Sequence, residues 1–214
     1  MWQLPIDALG GEIRVHVTEE HALQDSIESM AAAILQSAPQ RFAVAGLSMG
    51  GYVALEMHRQ APDRVAGLGL LNTAADSDDP DKRAKRREMA AAARAGNFED
   101  TVARIIAGFF HEPTPEQEKI AWDMAWRADA EVFARQQLAL AERRDQSERL
   151  PMIDCPTLVI GSIEDRLIPV EKSRDLAVAI PGAKLLELEA CGHMSTLDAP
   201  ALVTDAMRDW LISA

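Results

Sequence analysis

Residues Arg41–Met57 read RFAVAGLSMGGYVALEM, and no other stretch constrains the fold as tightly. An apolar run, RFAVAGL, ends in Gly46-Leu47-Ser48-Met49-Gly50-Gly51, and a helix-periodic segment, Met49–Gln60, begins at once. A strand that turns into a helix within one residue leaves its sheet at the carboxyl end and returns by a crossover, so the next strand lies parallel to it. Pro62 stops the helix, and VAGLGLLN (Val65–Asn72) supplies that strand as a continuous apolar run of the kind buried on both faces.

The same alternation flanks this unit. EIRVHV (Glu12–Val17) alternates and is β-branched, which predicts an earlier strand; Asp25 or Ser26 then caps a helix running to about Gln36. After Pro151 come strand TLVIG (Thr157–Gly161), a helix over Val170–Ile180, strand AKLLELE (Ala183–Glu189), and a last helix from Thr196 or Ala199 to Ile212. Between Asp81 and Leu150 strand signals vanish. Gly96-Asn97 and Glu112-Pro113-Thr114-Pro115 divide that stretch into about four helices. The expected fold class is α/β: a mostly parallel sheet with helices on both faces, built from residues 1–73 and 151–214, with an all-helical insertion over residues 74–150.

Composition narrows the function. The 214 residues are 48% apolar, and no apolar run approaches the roughly 18 residues that span a bilayer. MWQLPIDALGG lacks the basic start and apolar stretch of a secretory signal, so a cytoplasmic protein is expected. The formal charge is −12, and the one basic cluster, Lys82–Arg87, follows the acidic DSDDPD; it reads as a solvated helix face, and nucleic acid is not an expected partner. Cys155 and Cys191 fit no metal-binding spacing. With Cys155 entering one parallel strand and Cys191 leaving the next, they stand a strand length apart, roughly 15–20 Å, too far for a disulfide. No His/Asp/Glu cluster has ligand spacing, so no metal or cofactor is implied.

The chemistry gathers at the carboxyl ends of the predicted strands, where open α/β sheets bind ligands. Gly46 and Gly50 give a crowded turn room, and the turn lifts the Ser48 hydroxyl above the sheet. The Met49 N–H, at a helix N-terminus, is placed to stabilise an oxyanion. The other reading of the motif is a glycine-rich turn with a capping serine. A serine nucleophile needs a base. Of five histidines, His58 falls within a helix, His16 in a strand, and His21 and His111 in polar surroundings. His193, in EACGHMSTLDAP, directly follows the last strand at the same end of the sheet as Ser48. The base needs an acid to orient it, and SIEDRLIP offers Glu164 or Asp165 just past another strand.

These segments resemble the α/β-hydrolase family. GLSMGG is similar to its nucleophile elbow and DRLIP (Asp165–Pro169) to its acid loop, while CGHMSTLDAPALVTDAMRDWL is similar to the histidine loop and closing helix of small esterase-like members. The resemblance spans residues 12–214, places residues 74–150 in the position of the family's helical cap, and selects Asp165 over Glu164. It implies a Ser48–His193–Asp165 triad for acyl transfer. By fold analogy, Phe109, Phe110, Trp122 and Trp126 are expected to wall the substrate site from the cap.

Family members usually carry further strands ahead of EIRVHV, and one of these ends in the loop that gives the second oxyanion N–H. Met49 alone is expected here, and one donor is worth about 10²–10³ in rate. The strand at Phe42–Leu47 is left with an apolar edge, to be covered by EIRVHV or by a second copy in a homodimer. Two functions follow: a serine hydrolase of small carboxylic esters, or a weakened member serving as a binding or regulatory module, or a truncated chain.

Overall fold

The computed structural model describes residues 1–11 and 13–214. Ahead of the sheet come α1 (Gln3–Leu9) and α2 (Ile27–Ser37). Ser26 caps α2 by accepting from the Ser29 N–H at 3.0 Å, as the sequence leads one to expect. Strand β1 (Phe42–Leu47) passes directly into α3 (Met49–Gln60), and β2 (Val65–Leu71) follows. The helical insertion comprises α4 (Pro80–Ala92), α5 (Phe98–Ile106) and α6 (Pro115–Glu142). The chain then completes the sheet with β3 (Thr157–Ser162), α7 (Val170–Ala179) and β4 (Lys184–Leu188), and ends with the short α8 (Ser195–Asp198) and α9 (Pro200–Leu211). The four strands are all parallel, in the order β1-β2-β3-β4.

Alternate residues of β2 show how the two faces are filled. Leu68 and Leu70 are fully buried and pack with Ala54 and Leu55 of α3 and Leu176 of α7. On the other face, a Cβ on Gly67 or Gly69 would meet the Trp210 ring of α9, at 3.1 and 3.4 Å. The two glycines let that indole lie against the sheet, and its Nε1 donates to the Pro156 carbonyl at 2.9 Å.

The insertion divides as its punctuation predicts. Gly96, at φ 92°, separates α4 from α5, and Thr114 with Gln117 forms a capping box ahead of Pro115. A further break falls within α6 at Asp129 (φ 55°), whose Oδ1 accepts from the Glu131 and Val132 N–H groups and restarts the helix. Phe98, Val102, Ile106 and Phe110 share one apolar core with Leu47, Leu71 and Ile160 of the sheet. Both ends of the insertion meet at Asp78. Its carboxylate takes the Arg143 Nη2 at 2.9 Å and the Arg86 Nε, and the Arg143 guanidinium lies 4.2 Å from the Tyr52 ring centre.

One expectation fails at the N-terminus. Ile13–Val17, most of the EIRVHV run, form no strand and are exposed, and Glu12 lies outside the described residues. Ile13, Val15 and Val17 alternate as a strand would, but no sheet stands against them to receive that face. Among the described residues β1 therefore pairs with β2 alone and keeps an open edge. Helix α1 was not anticipated; it packs on α9 and buries Pro5 and Leu9. Both cysteines are free thiols. Among the described residues no helix is long and apolar enough to cross a membrane.

Candidate active site

Ser48 is the single residue between β1 and α3, at φ 54° and ψ −116°. Its N–H donates to the Leu71 carbonyl at 2.9 Å, and its own carbonyl accepts from Gly51 N–H at 2.9 Å and Thr73 Oγ1 at 2.8 Å. The Ser48 side chain makes no capping bond to the helix, which removes the capping-serine reading of the motif. Crowding at the turn is real but differently placed from what the motif implies. A Cβ on Gly46 would lie 2.0 Å from the Gly50 carbonyl oxygen, and one on Gly51 would strike Thr73, whereas Gly50 itself has open space around its Cβ position. The Met49 N–H is the first of α3, one of the N–H groups a helix leaves unpaired.

His193 stands in the loop between β4 and α8 and is 3% exposed. That loop is held on several sides. Cys191 N–H donates to Glu164 Oε2 at 3.1 Å, Gly192 N–H to Asp198 Oδ2 at 2.7 Å, and Met194 N–H to the Phe109 carbonyl at 2.9 Å. Gly192 is required there: a Cβ would fall 2.6 Å from the Phe110 carbonyl carbon and 2.7 Å from the His111 nitrogen. His193 Nδ1 lies 2.8 Å from Asp165 Oδ2, so Asp165, not Glu164, is the carboxylate that meets it. Burial pushes the Asp165 carboxyl up, but the hydrogen bond and charge of His193 and the Ile168 and Leu167 N–H groups outweigh it, leaving the pKa below the ordinary carboxylate value. The bond at Nδ1 leaves Nε2 as the ring nitrogen available for proton transfer. Among the described residues no hydrogen bond joins it to Ser48 Oγ.

A match to the model of the alpha/beta hydrolase family covers residues 11–206. This chain belongs to the alpha/beta hydrolase family. Over 206 residues it is 27% identical to a pimeloyl-[acyl-carrier protein] methyl ester esterase of Aromatoleum aromaticum, covering 86% of this chain and 80% of that protein. A thermophilic esterase from Thermogutta terrifontis, solved with malate bound, superposes at a TM-score of 0.91 with 30% identity, over 99% of this chain and 84% of that one. An enol-lactonase from Burkholderia xenovorans shares the fold at a TM-score of 0.81 and 24% identity, over 99% and 85% of the two chains.

In this family member the four aromatic residues expected at the substrate site separate. The Phe109 ring lies 6.1 Å from the His193 ring, centre to centre. Phe110 is buried, and with Trp122, Ile106 and Ala103 it lines a cavity of about 170 Å³ inside the insertion, which none of Ser48, Asp165 and His193 lines. Trp126 stacks on Trp122 at 5.6 Å and is half exposed. Of the other histidines, His16 is exposed, not in a strand, and His58 is buried within α3. Burial pushes the Cys191 thiol up to about 11, leaving it a protonated, poor nucleophile. Sequence reasoning did not single out Asn72, Thr73 or Ser162. Their one legible signal is that they are polar residues at the carboxyl ends of apolar strands.

Proposed function

We propose that the protein is a serine hydrolase of small carboxylic esters. Ser48 attacks the ester carbonyl as His193 Nε2 takes its proton, Asp165 holds the imidazole and offsets its charge, and the Met49 N–H binds the developing oxyanion. His193 then protonates the leaving alcohol, and water hydrolyses the acyl-enzyme by the reverse route. The observation that carries this reading is the 2.8 Å contact between the buried His193 and Asp165, brought from the ends of two strands to the end of the sheet where Ser48 stands. Esterase relatives at 27% and 30% identity support the substrate class. Phe109 borders the reacting groups, and its ring favours a small apolar acyl or alcohol group.

The test is intact-mass spectrometry after incubation with a fluorophosphonate, with Ser48→Ala and His193→Ala alongside, and turnover of a short-chain p-nitrophenyl ester. One adduct, lost in both variants together with turnover, is the expected result. A folded wild-type chain that forms no adduct overturns the reading in favour of a binding module.

A further inference from the structure

A Ser48–His193–Asp165 triad leaves one buried polar residue at the same place unexplained. Asn72 directly follows β2, is 1% exposed and holds its backbone at φ 45°. Its Oδ1 is buried without a hydrogen-bond partner. A left-handed backbone admits glycine, asparagine or aspartate alike, and an orphaned carbonyl opposes folding, so neither by itself selects an asparagine here. Its amide nitrogen does. Nδ2 donates to Asp165 Oδ2 at 3.0 Å and to Ser162 Oγ at 2.9 Å. The orientation is chemically forced, because the reversed amide would set its oxygen against a carboxylate.

Around Asp165 the donors divide evenly. Oδ1 accepts from Leu167 N–H at 2.8 Å and Ile168 N–H at 3.0 Å, and Oδ2 accepts from His193 and Asn72. A carboxylate anchored through one oxygen can still pivot about it; the second anchor on Oδ2 removes that freedom. Sharing Oδ2 between two donors also makes it a weaker base, which keeps the proton on the imidazole. Ser162 in turn donates to Cys191 Sγ at 3.3 Å, so the network reaches the loop that bears His193.

The neighbours of Asn72 hold the other half of the site. The Leu71 carbonyl and Thr73 Oγ1 bind the Ser48 backbone, while the Asn72 N–H donates to the Ile160 carbonyl of β3 at 2.8 Å. Three consecutive residues thus fix the nucleophile turn and the acid in one frame. We propose that Asn72 is a positioning residue of this site, its amide holding the Asp165 carboxylate against His193 from the same strand end that holds the Ser48 turn. The inference rests on the serine-hydrolase reading above.

Asn72→Gly keeps the left-handed backbone accessible and deletes the amide; Asn72→Asp keeps the shape and replaces the donor with an acceptor. Each is expected to lower kcat about 10- to 100-fold with KM changed by less than about twofold. A second readout needs no substrate: the downfield proton resonance of His193 Nδ1–H, assigned by its loss in His193→Ala, moves upfield or is lost to exchange in both variants. A merely structural asparagine would lower stability and leave kcat and the resonance in place. A folded Asn72→Gly, or Asn72→Asp if the glycine variant does not fold, with unchanged kcat and resonance overturns the proposal. If ester turnover instead survives Ser48→Ala, the hydrolase reading falls, and the resonance still decides whether Asn72 orients the Asp165–His193 pair.

Discussion

Ser48 occupies backbone space that glycine enters freely and other residues enter under strain, at φ 54°. The turn over-determines it: three backbone-directed hydrogen bonds hold its amide and carbonyl, and Gly46 and Gly51 leave the turn no slack. Strain of this kind is released by glycine and retained by alanine, although both delete the hydroxyl. Ser48→Gly is therefore expected to unfold at higher urea than Ser48→Ala, by about 1 kcal/mol, with neither forming a fluorophosphonate adduct. Equal stabilities would show that the turn stores no strain. At this scale Ser48 and His193 were legible because each stands in a short motif beside a strand end. Glu164 and Asp165 were not separable from local sequence, since either follows the strand; the family pattern chose, and the contact with His193 agrees. Asn72 was invisible as a partner of Asp165 because the pair is joined only when β2 and β3 lie side by side, 93 positions apart in the chain.

Strands and helices were read well wherever two levels of pattern agreed. The glycine-flanked serine fixed the end of β1 and the start of α3, and Pro62 fixed the end of that helix. Ile13–Val17 had alternation alone, and alternation cannot supply the neighbouring strand that turns an extended segment into part of a sheet. The break in α6 was missed because Asp129 interrupts the helix without any Gly or Pro to announce it. What joins the helical insertion to the sheet was also hidden: Asp78 just ahead of α4 and Arg143 just after α6 meet in the folded chain alone. Both side chains are almost fully buried, and Arg143 would remain so without its partner. Asp78→Ala is expected to cost about 3–5 kcal/mol in urea unfolding, the magnitude of breaking a buried pair from one side. A loss below about 1 kcal/mol would mean that Arg86 and Arg143 find other partners and that Asp78 does not clamp the insertion.

For the whole molecule, the arrangement of a parallel sheet with an inserted helical block followed from the order of strand and helix patterns, and the apolar edge at β1 was anticipated, while the absence of a strand at Ile13–Val17 to cover it had to be seen. The net charge of −12 sets up a contest as pH falls. Protonating surface carboxylates relieves repulsion between solvated charges, which salt already screens. Protonating the buried ones breaks bonds. Burial raises the pKa values of Asp78, Asp165 and Glu56, but Arg143 and Arg86, then His193, then Arg59 and Gln60, overcome that effect and hold all three below their ordinary values. The folded state then binds fewer protons than the unfolded one across the acid range, so stability falls as pH falls there. The contribution is complete above the unfolded carboxylate values of about 4 and is lost as pH drops below them toward the folded values. Urea midpoints are expected to fall modestly below about pH 6.5, where burial holds the His58 and His21 imidazoles below their ordinary value, and to fall further below about 4, with that second fall persisting in about 0.5 M salt because the carboxylates responsible are buried. Asp78→Asn, less stable at neutral pH, is expected to show a shallower fall than the wild-type chain. A slope unchanged by that substitution would assign the acid sensitivity to the other carboxylates, and a fall abolished by salt would assign it to the surface.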